Sequence, residues 1–337
     1  MPKVIHLTAP RFINLIERPE LPLKDLEATV KIFAAGICAN DLAIIRGQSS
    51  IGSYPITPGH ESIGVIENVG ANVTDFSPGD WVTIYPSIGC GHCQACLDGR
   101  INHCLALRVM GINQAGGCFA EKINVPIQQL MKVPKELQNE SGALIEPTAV
   151  AVHVNRRANT KPGARVAIIG AGVIGILTAL VARALGASEI VLVDQFEERE
   201  QLCLEMGLKG FVHGIQSFKA DPTPRFDIVF DMVCEEQTID AALEVLIPGA
   251  KLLLVATPKD KSLLVASFPK IYRRELSLIA ARNYVRQDFY DAIELLAKKA
   301  VVADPIITGR FALSDFQAAI NALETQPEKH IKILVQP

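Results

Sequence analysis

Residues Gly170-Ala171-Gly172-Val173-Ile174-Gly175 join an apolar run, RVAIIG, to a stretch of helical periodicity, VIGILTALVARALG. No other segment narrows the possible fold as far. The first glycine permits a tight turn, the second lets backbone approach a pyrophosphate, and the third lets the helix pack closely on the strand. The free amides of the helix N-terminus then face the phosphates. Asp194 ends the next apolar run, EIVLVD, 22 residues past Gly172. A spacing of about 20 is the one at which an acid meets ribose hydroxyls. From Ala164 onward six runs (RVAIIG, EIVLVD, GFVHG, FDIVFDMV, AKLLLVA and LSLIAA) alternate with helical stretches, which predicts an α/β fold with a doubly wound parallel sheet of six strands. A flavin site and a cofactor-free α/β domain are the other readings of this pattern. On the dinucleotide reading, Gly170, Gly172, Val173, Ile174 and Gly175 line the turn. Asp194 takes the adenosine ribose, and its charge, with Glu197 and Glu198, disfavours a 2′-phosphate, which points to NAD over NADP. Arg199, the nearby cation, is expected to stack near adenine or pair with a Glu. A strand-end acid capping a turn is the alternative for Asp194.

A chain of 337 residues is long for one domain and suggests two. Residues up to about 147 carry short β-like runs broken by Gly and Pro (ATVKIFAAG, ESIGVIENVG, DWVTIYP, AEKINVP), as irregular antiparallel strands do. The tail beyond about Arg282 holds two helical stretches, DFYDAIELLAKK and SDFQAAINALE, and a closing strand, IKILVQP. The uncharged run Val166–Ala182 sits at the short limit for a membrane span, and its glycines make it a buried strand running into a buried helix. Net charge is −3 with no basic block, so neither nucleic acid nor an anionic membrane is an expected partner. The N-terminus breaks its apolar runs with charges and has no secretory core, so a cytoplasmic protein is expected.

Four of the eight cysteines, Cys90, Cys93, Cys96 and Cys104, form C-x2-C-x2-C-x7-C flanked by Gly89, Gly91 and Gly99. Four thiolates suit a closed tetrahedral zinc site, which would be structural because no position is left open. The short loops leave little room for a core, so the metal would supply folding energy. Redox-active or disulfide cysteines are the alternative, and His92 and His103 are expected to be bystanders. Cys38, His60, Glu61 and Glu146 each have an ordinary structural reading taken singly, and composition does not join residues so far apart.

A series of segments does join them. GICANDLAIIRG, YPITPGHESIGVIENVG, the cysteine lobe, GGCFAEKINVP, the Glu146–Pro147 pair, GAGVIG with Asp194, and PIITGRFALSDFQAAINAL occur in that order. Along nearly its whole length the chain resembles the medium-chain zinc dehydrogenase/reductase family. Its greatest similarity is to the polyol, threonine and sugar-acid branch, which is sorbitol dehydrogenase-like and galactonate oxidoreductase-like and has Glu at the Glu146 position. The resemblance implies a GroES-like, β-rich catalytic domain (1–147 and 283–337) around a Rossmann domain (148–282). It implies two zinc ions per subunit and NAD. Cys38 and His60 would be catalytic zinc ligands, with Glu61 and Glu146 binding directly or through water, and Asp41 would orient His60. Val150, one helical turn past Glu146, would pack behind the nicotinamide. Pro147 can begin a helix, which would leave Glu146 at a break between two helices, facing the cleft.

The implied activity is oxidation of a secondary alcohol, a polyol or sugar acid, to a ketone. Departures from the family pattern lie around Asn40, where a Ser or Thr usually starts the proton relay. Asn cannot ionise or shuttle a proton as a hydroxyl does. Ala43 and Ile44 replace a His and an aromatic. The relay would then run through water and Glu146, or the substrate differs. By the same resemblance Arg282 matches an arginine near the substrate or cofactor, where it would bind a substrate carboxylate, with a salt bridge or a cofactor phosphate contact as equal alternatives. Two other functions follow from these departures: a zinc dehydrogenase for a less polar alcohol, and a non-catalytic NAD-binding protein on the same fold. A homodimer or homotetramer is expected, because the apolar last strand, LSLIAA, would otherwise be an exposed edge.

Overall fold

The computed structural model describes residues 1–49, 51–114, 116–221, 223–257 and 263–337. The chain divides into two compact units. One comprises Met1–Glu146, Val285–Ala297 and Ile307–Pro337, and the other Pro147–Tyr284 and Lys298–Ile306.

In the second unit six parallel strands run in the order Gly210–His213, Glu189–Asp194, Arg165–Ile169, Phe226–Asp231, Leu246–Leu254 and Ser277–Ala280. The third strand in sequence lies at one edge and the order reverses at the first, which is the doubly wound arrangement. The fifth strand begins at Leu246, four residues before the AKLLLVA run, and a register irregularity between Phe226 and Ile228 absorbs Pro248 and Gly249. Helix Val173–Ala184 buries every residue from Gly175 to Ala182, which accounts for the uncharged sequence there. No helix among the described residues is long and apolar enough to cross a membrane.

The first unit is built on a seven-stranded sheet. Its path is Ile307–Ala312, Lys332–Gln336, Glu27–Gly36, Glu61–Val69, Trp81–Ile84 and Leu130–Lys132, with Lys122–Pro126 also on Glu27–Gly36. All pairings are antiparallel except the first. Along Glu27–Gly36, Val30 and Ile32 point into the core while Lys31 and Phe33 are exposed, the alternation of a sheet packed on one face. Toward Gly36 the alternation ends and Ala34, Ala35 and Gly36 are all buried. The chain closes in the first unit's sheet: Leu334 pairs with Gly36, and Ile37 N donates to Ile333 O at 3.0 Å.

Candidate functional site

Strand register brings the dispersed candidates of the first unit together. Gly36 pairs with Glu61 on one side and with Leu334 on the other. Cys38 lies two residues beyond Gly36, and continuing the antiparallel register places Lys332 opposite it. Cys38 is also the N-cap of the short helix Ala39–Ile45. Asp41 closes that cap: Cys38 N donates to its Oδ2 at 2.9 Å, and Gly59 N donates to its Oδ1 at 3.2 Å. One fully buried carboxylate thus holds the backbone of both segments that carry the thiol and the imidazole. Gly59 has φ +100°, and a side chain there would press on Cys118 Sγ, so glycine is required before His60.

Cys38 Sγ, one His60 ring nitrogen and one Glu61 oxygen all lie within 4.8 Å of one another. His60 Nδ1 faces Asp41 Oδ1 at 3.5 Å, a long contact, and has no hydrogen bond among the described residues. Burial lowers the His60 pKa, but the Asp41 carboxylate and the Cys38 sulfur outweigh it and hold the ring well above its ordinary value. Burial pushes the Cys38 thiol up, against a hydrogen bond from His60. A half-buried soft sulfur converging with a buried imidazole nitrogen and a buried carboxylate forms a donor set that fits zinc with a position left over. Glu146 lies in the first turn of helix Ile145–Ala158, just after the 3₁₀ turn Glu140–Leu144, and is 7 % exposed. It stands outside the 4.8 Å group but is near enough for its charge to act on Lys332. Asn40 is half-buried in the first turn of its helix.

Two residues of this site are not singled out by the sequence. Lys332 is 1 % exposed, and its Nζ donates to Glu61 Oε2 at 2.6 Å and to Ile37 O at 2.9 Å. Removing one member of such a buried pair costs about 3–5 kcal/mol. The available signal is a lysine inside the otherwise apolar strand IKILV, since lysine is almost never fully buried unless paired. Cys118 is fully buried, with its thiol on the Glu61 carbonyl oxygen at 3.8 Å. It is an apolar-segment cysteine with no spacing that marks it.

Cys90, Cys93, Cys96 and Cys104 form the second convergent group, with one sulfur from each within 4.8 Å of the others. Cys93 N donates to Cys90 Sγ and Cys90 N to Cys104 Sγ, both at 3.3 Å. Amides of His92 and Cys93 aimed at its sulfur lower the Cys90 pKa to about 6, which favours the thiolate a metal needs. The helix of this lobe, Gln94–Leu97, buries none of its residues. The His92 ring bonds the Cys90 carbonyl oxygen, and neither His92 nor His103 is among the grouped ligands.

In the second unit Gly170 has φ +104°, Gly172 is the N-cap of helix Val173–Ala184, and a Cβ on Gly175 would overlap Gly170 O. Asp194 Oδ2 accepts from Ala171 N at 2.6 Å and Oδ1 from Phe196 N at 3.0 Å, so the acid ties the glycine turn to the neighbouring strand. Arg199 Nη1 bonds Asp194 Oδ2 at 2.8 Å, and its guanidinium lies 4.5 Å over the Phe196 ring. Val150 is half-buried on helix Ile145–Ala158, and Arg282 is exposed just past strand Ser277–Ala280.

Comparison with known proteins agrees in both units. Residues 24–135 match the alcohol dehydrogenase GroES-like domain, and residues 173–298 match the zinc-binding dehydrogenase family. Galactitol 1-phosphate 5-dehydrogenase of Escherichia coli K12 is 34 % identical over 314 residues, covering 90 % of each chain. L-galactonate-5-dehydrogenase of the same strain is 31 % identical over 298 residues, covering 87 % of this chain and 86 % of the other. A zinc-binding dehydrogenase of Sinorhizobium meliloti solved with NADP superposes with a TM-score of 0.93 at 28 % identity, covering 100 % of this chain and 99 % of its own. An alcohol dehydrogenase of E. coli CFT073 solved with NADH gives 0.92 at 27 %, with the same coverage. With sheet order, glycine turn and both ligand groups in agreement, the chain belongs to the zinc-dependent medium-chain alcohol dehydrogenase family, on its polyol and sugar-acid branch.

Proposed function

We propose that this protein oxidises a secondary alcohol of a polyol or sugar acid to the ketone, with NAD as the hydride acceptor. The observation that carries the reading is the convergence of half-buried Cys38 with buried His60 and Glu61. These three would hold a catalytic zinc, with Glu146 as a further carboxylate reached directly or through water. Zinc supplies Lewis acidity that makes a substrate hydroxyl, as weak an acid as water, ionisable near neutral pH. Asp41 fixes the two backbone segments and faces His60 Nδ1, which leaves Nε2 to the metal. Asn40 binds and orients by hydrogen bonding but carries no proton; the Glu146 carboxylate takes that task, through water. Cys90, Cys93, Cys96 and Cys104 would hold a second, structural zinc. We place the catalytic domain at 1–147 and 283–337 and the NAD domain at 148–282, with Val150 against the nicotinamide and Arg282 at the substrate.

For the dinucleotide, the amides of Gly172, Val173 and Ile174 would face the pyrophosphate while Asp194 takes the ribose hydroxyls. NAD is favoured over NADP because Arg199, the cation that would meet a 2′-phosphate, is committed to Asp194. A homodimer or homotetramer, in the cytoplasm, is part of the same reading. The parallel sheet ends on Ser277–Ala280 with Leu278 and Ile279 half-buried, and Leu263, Phe268 and Tyr272 are 85 %, 71 % and 73 % exposed. Light scattering at micromolar protein checks this, and a monomer would contradict it.

The deciding experiment is a screen of NAD reduction over polyols, aldonates and simple secondary alcohols. Turnover of a polyol or aldonate well above that of simple alcohols is expected. Absence of turnover with all three classes, in protein containing zinc, would overturn the activity.

A further inference from the structure

We propose that Lys332 is a positioning residue for Glu61: by holding one carboxylate oxygen it limits how firmly Glu61 engages the metal, and so keeps a coordination position available. The inference rests on the zinc reading above. Lys332 Nζ lies 2.6 Å from Glu61 Oε2, and Ile37 O, 2.9 Å from the same nitrogen, fixes the ammonium from the backbone side. Both side chains are almost wholly removed from solvent. The other wall of this niche is Gly36, where a methyl group would overlap Glu61 Oε2. Three adjacent strands therefore define where that oxygen rests: Gly36 by having no side chain, Lys332 by its charge, and Glu61 by pairing with Gly36.

The chemistry gives this arrangement a consequence for the metal. A carboxylate with an ammonium on one oxygen is a weaker metal ligand than one that is free. A thiolate and two carboxylates (Cys38, Glu61 and Glu146) exceed the charge of a zinc dication by one, and Lys332 supplies one positive charge in the same buried volume. Without it, neutralising Glu61 would fall to the zinc, and the carboxylate would bind it fully. A purely structural lysine, clamping the closing strand to Ile37, would have no such effect.

The test measures zinc affinity of full-length protein by chelator competition, after zinc per chain has been counted. Wild type is compared with Lys332→Met, Lys332→Arg, Glu61→Gln and the double variant Lys332→Met/Glu61→Gln. Lys332→Met is expected to tighten the weaker-held zinc by about tenfold or more, the scale on which outer groups tune metal sites. Lys332→Arg should restore the wild-type value to within about threefold, and in the Glu61→Gln background the Met substitution should change affinity by less than about threefold. If Lys332→Met does not fold, Lys332→Gln, which keeps a hydrogen bond but not the charge, is read against the same threshold. Unchanged or weakened zinc binding with lowered thermal stability would overturn the proposal in favour of a structural lysine. Equal tightening in the Glu61→Gln background would overturn it by showing that Lys332 does not act through Glu61. Wild type with a single zinc per chain would remove the zinc reading and this inference together, whereas two zincs with an unaltered Lys332→Met removes this inference alone.

Discussion

The four-cysteine lobe and the Cys38–His60–Glu61 group are both sets of metal-ligating side chains, yet they are assembled in opposite ways. The lobe is local: its ligands fall between Cys90 and Cys104, its helix buries nothing, and its sulfurs are tied by amides of their own loop. The other group is non-local. It is made by three sheet strands and a short helix, and its carboxylate is balanced by a lysine from the last strand of the chain. A site that its own loop closes needs the metal to hold its shape, whereas a site the fold has already built can spare a coordination position for chemistry.

The largest expected effect breaks the comparison at the non-local site. Cys38→Ser should lower kcat by about a thousandfold or more, the loss of several kcal/mol of charge stabilisation in the transition state, while Tm stays within about 2 °C of wild type. Activity within about tenfold of wild type would remove the catalytic assignment. Cys93→Ser should do the reverse. One zinc is lost and Tm falls clearly in calorimetry, since structural zinc can contribute on the order of 10 kcal/mol to folding in small domains, but molecules that stay folded keep kcat. Exchanged phenotypes would mean the two sites are assigned backwards.

A smaller effect tests the second unit. Wild type should prefer NAD over NADP in kcat/KM by about a hundredfold, and Asp194→Ser should reduce that to about tenfold or less, mainly through KM. The lost bonds to ribose are of the charge-assisted kind, about 1.5–3 kcal/mol each. Equal use of NADP by wild type would show that Arg199 leaves Asp194 when a 2′-phosphate arrives.

The smallest effect concerns the scaffold that presents Glu146. Arg310 Nε bonds Glu140 Oε2 at 2.8 Å, joining the turn before Glu146 to the strand beside the closing one. The guanidinium holds the Glu140 carboxyl below its ordinary value, so this pair stabilises the fold above the unfolded carboxylate pKa, and the contribution is lost as pH falls through the lowered one. Arg310→Gln should lower Tm at neutral pH by no more than about 2–3 °C, since the arginine is half exposed, and by nothing at acid pH where Glu140 is protonated. A pH-independent loss would assign the effect to packing instead.

These two regions also differ in how far they can be read from sequence. The lobe is visible in residue spacing alone because its ligands are neighbours in the chain. The parallel sheet is visible because each strand is followed by a helix, so periodicity changes at every boundary, and only the Leu246 start is obscured, by Pro248 and Gly249 inside the strand. Cys38, His60 and Glu61 are joined in the sequence only by family resemblance, since what unites them physically is the pairing of Gly36 with Glu61 across strands. Lys332 and the Asp194–Arg199 pair escaped for different reasons: a charge partner 271 residues away has no local signature, whereas Arg199 lies within five residues of Asp194, Glu197 and Glu198, and sequence alone does not choose among these acids.

The most direct measurement is the zinc content of purified wild type and Cys38→Ser, each shown by calorimetry to be folded. Two zincs per chain in wild type and one in Cys38→Ser, with the thermal transition unchanged, is the predicted result. Two zincs in both proteins, or one in wild type, would contradict a catalytic metal site at Cys38, His60 and Glu61.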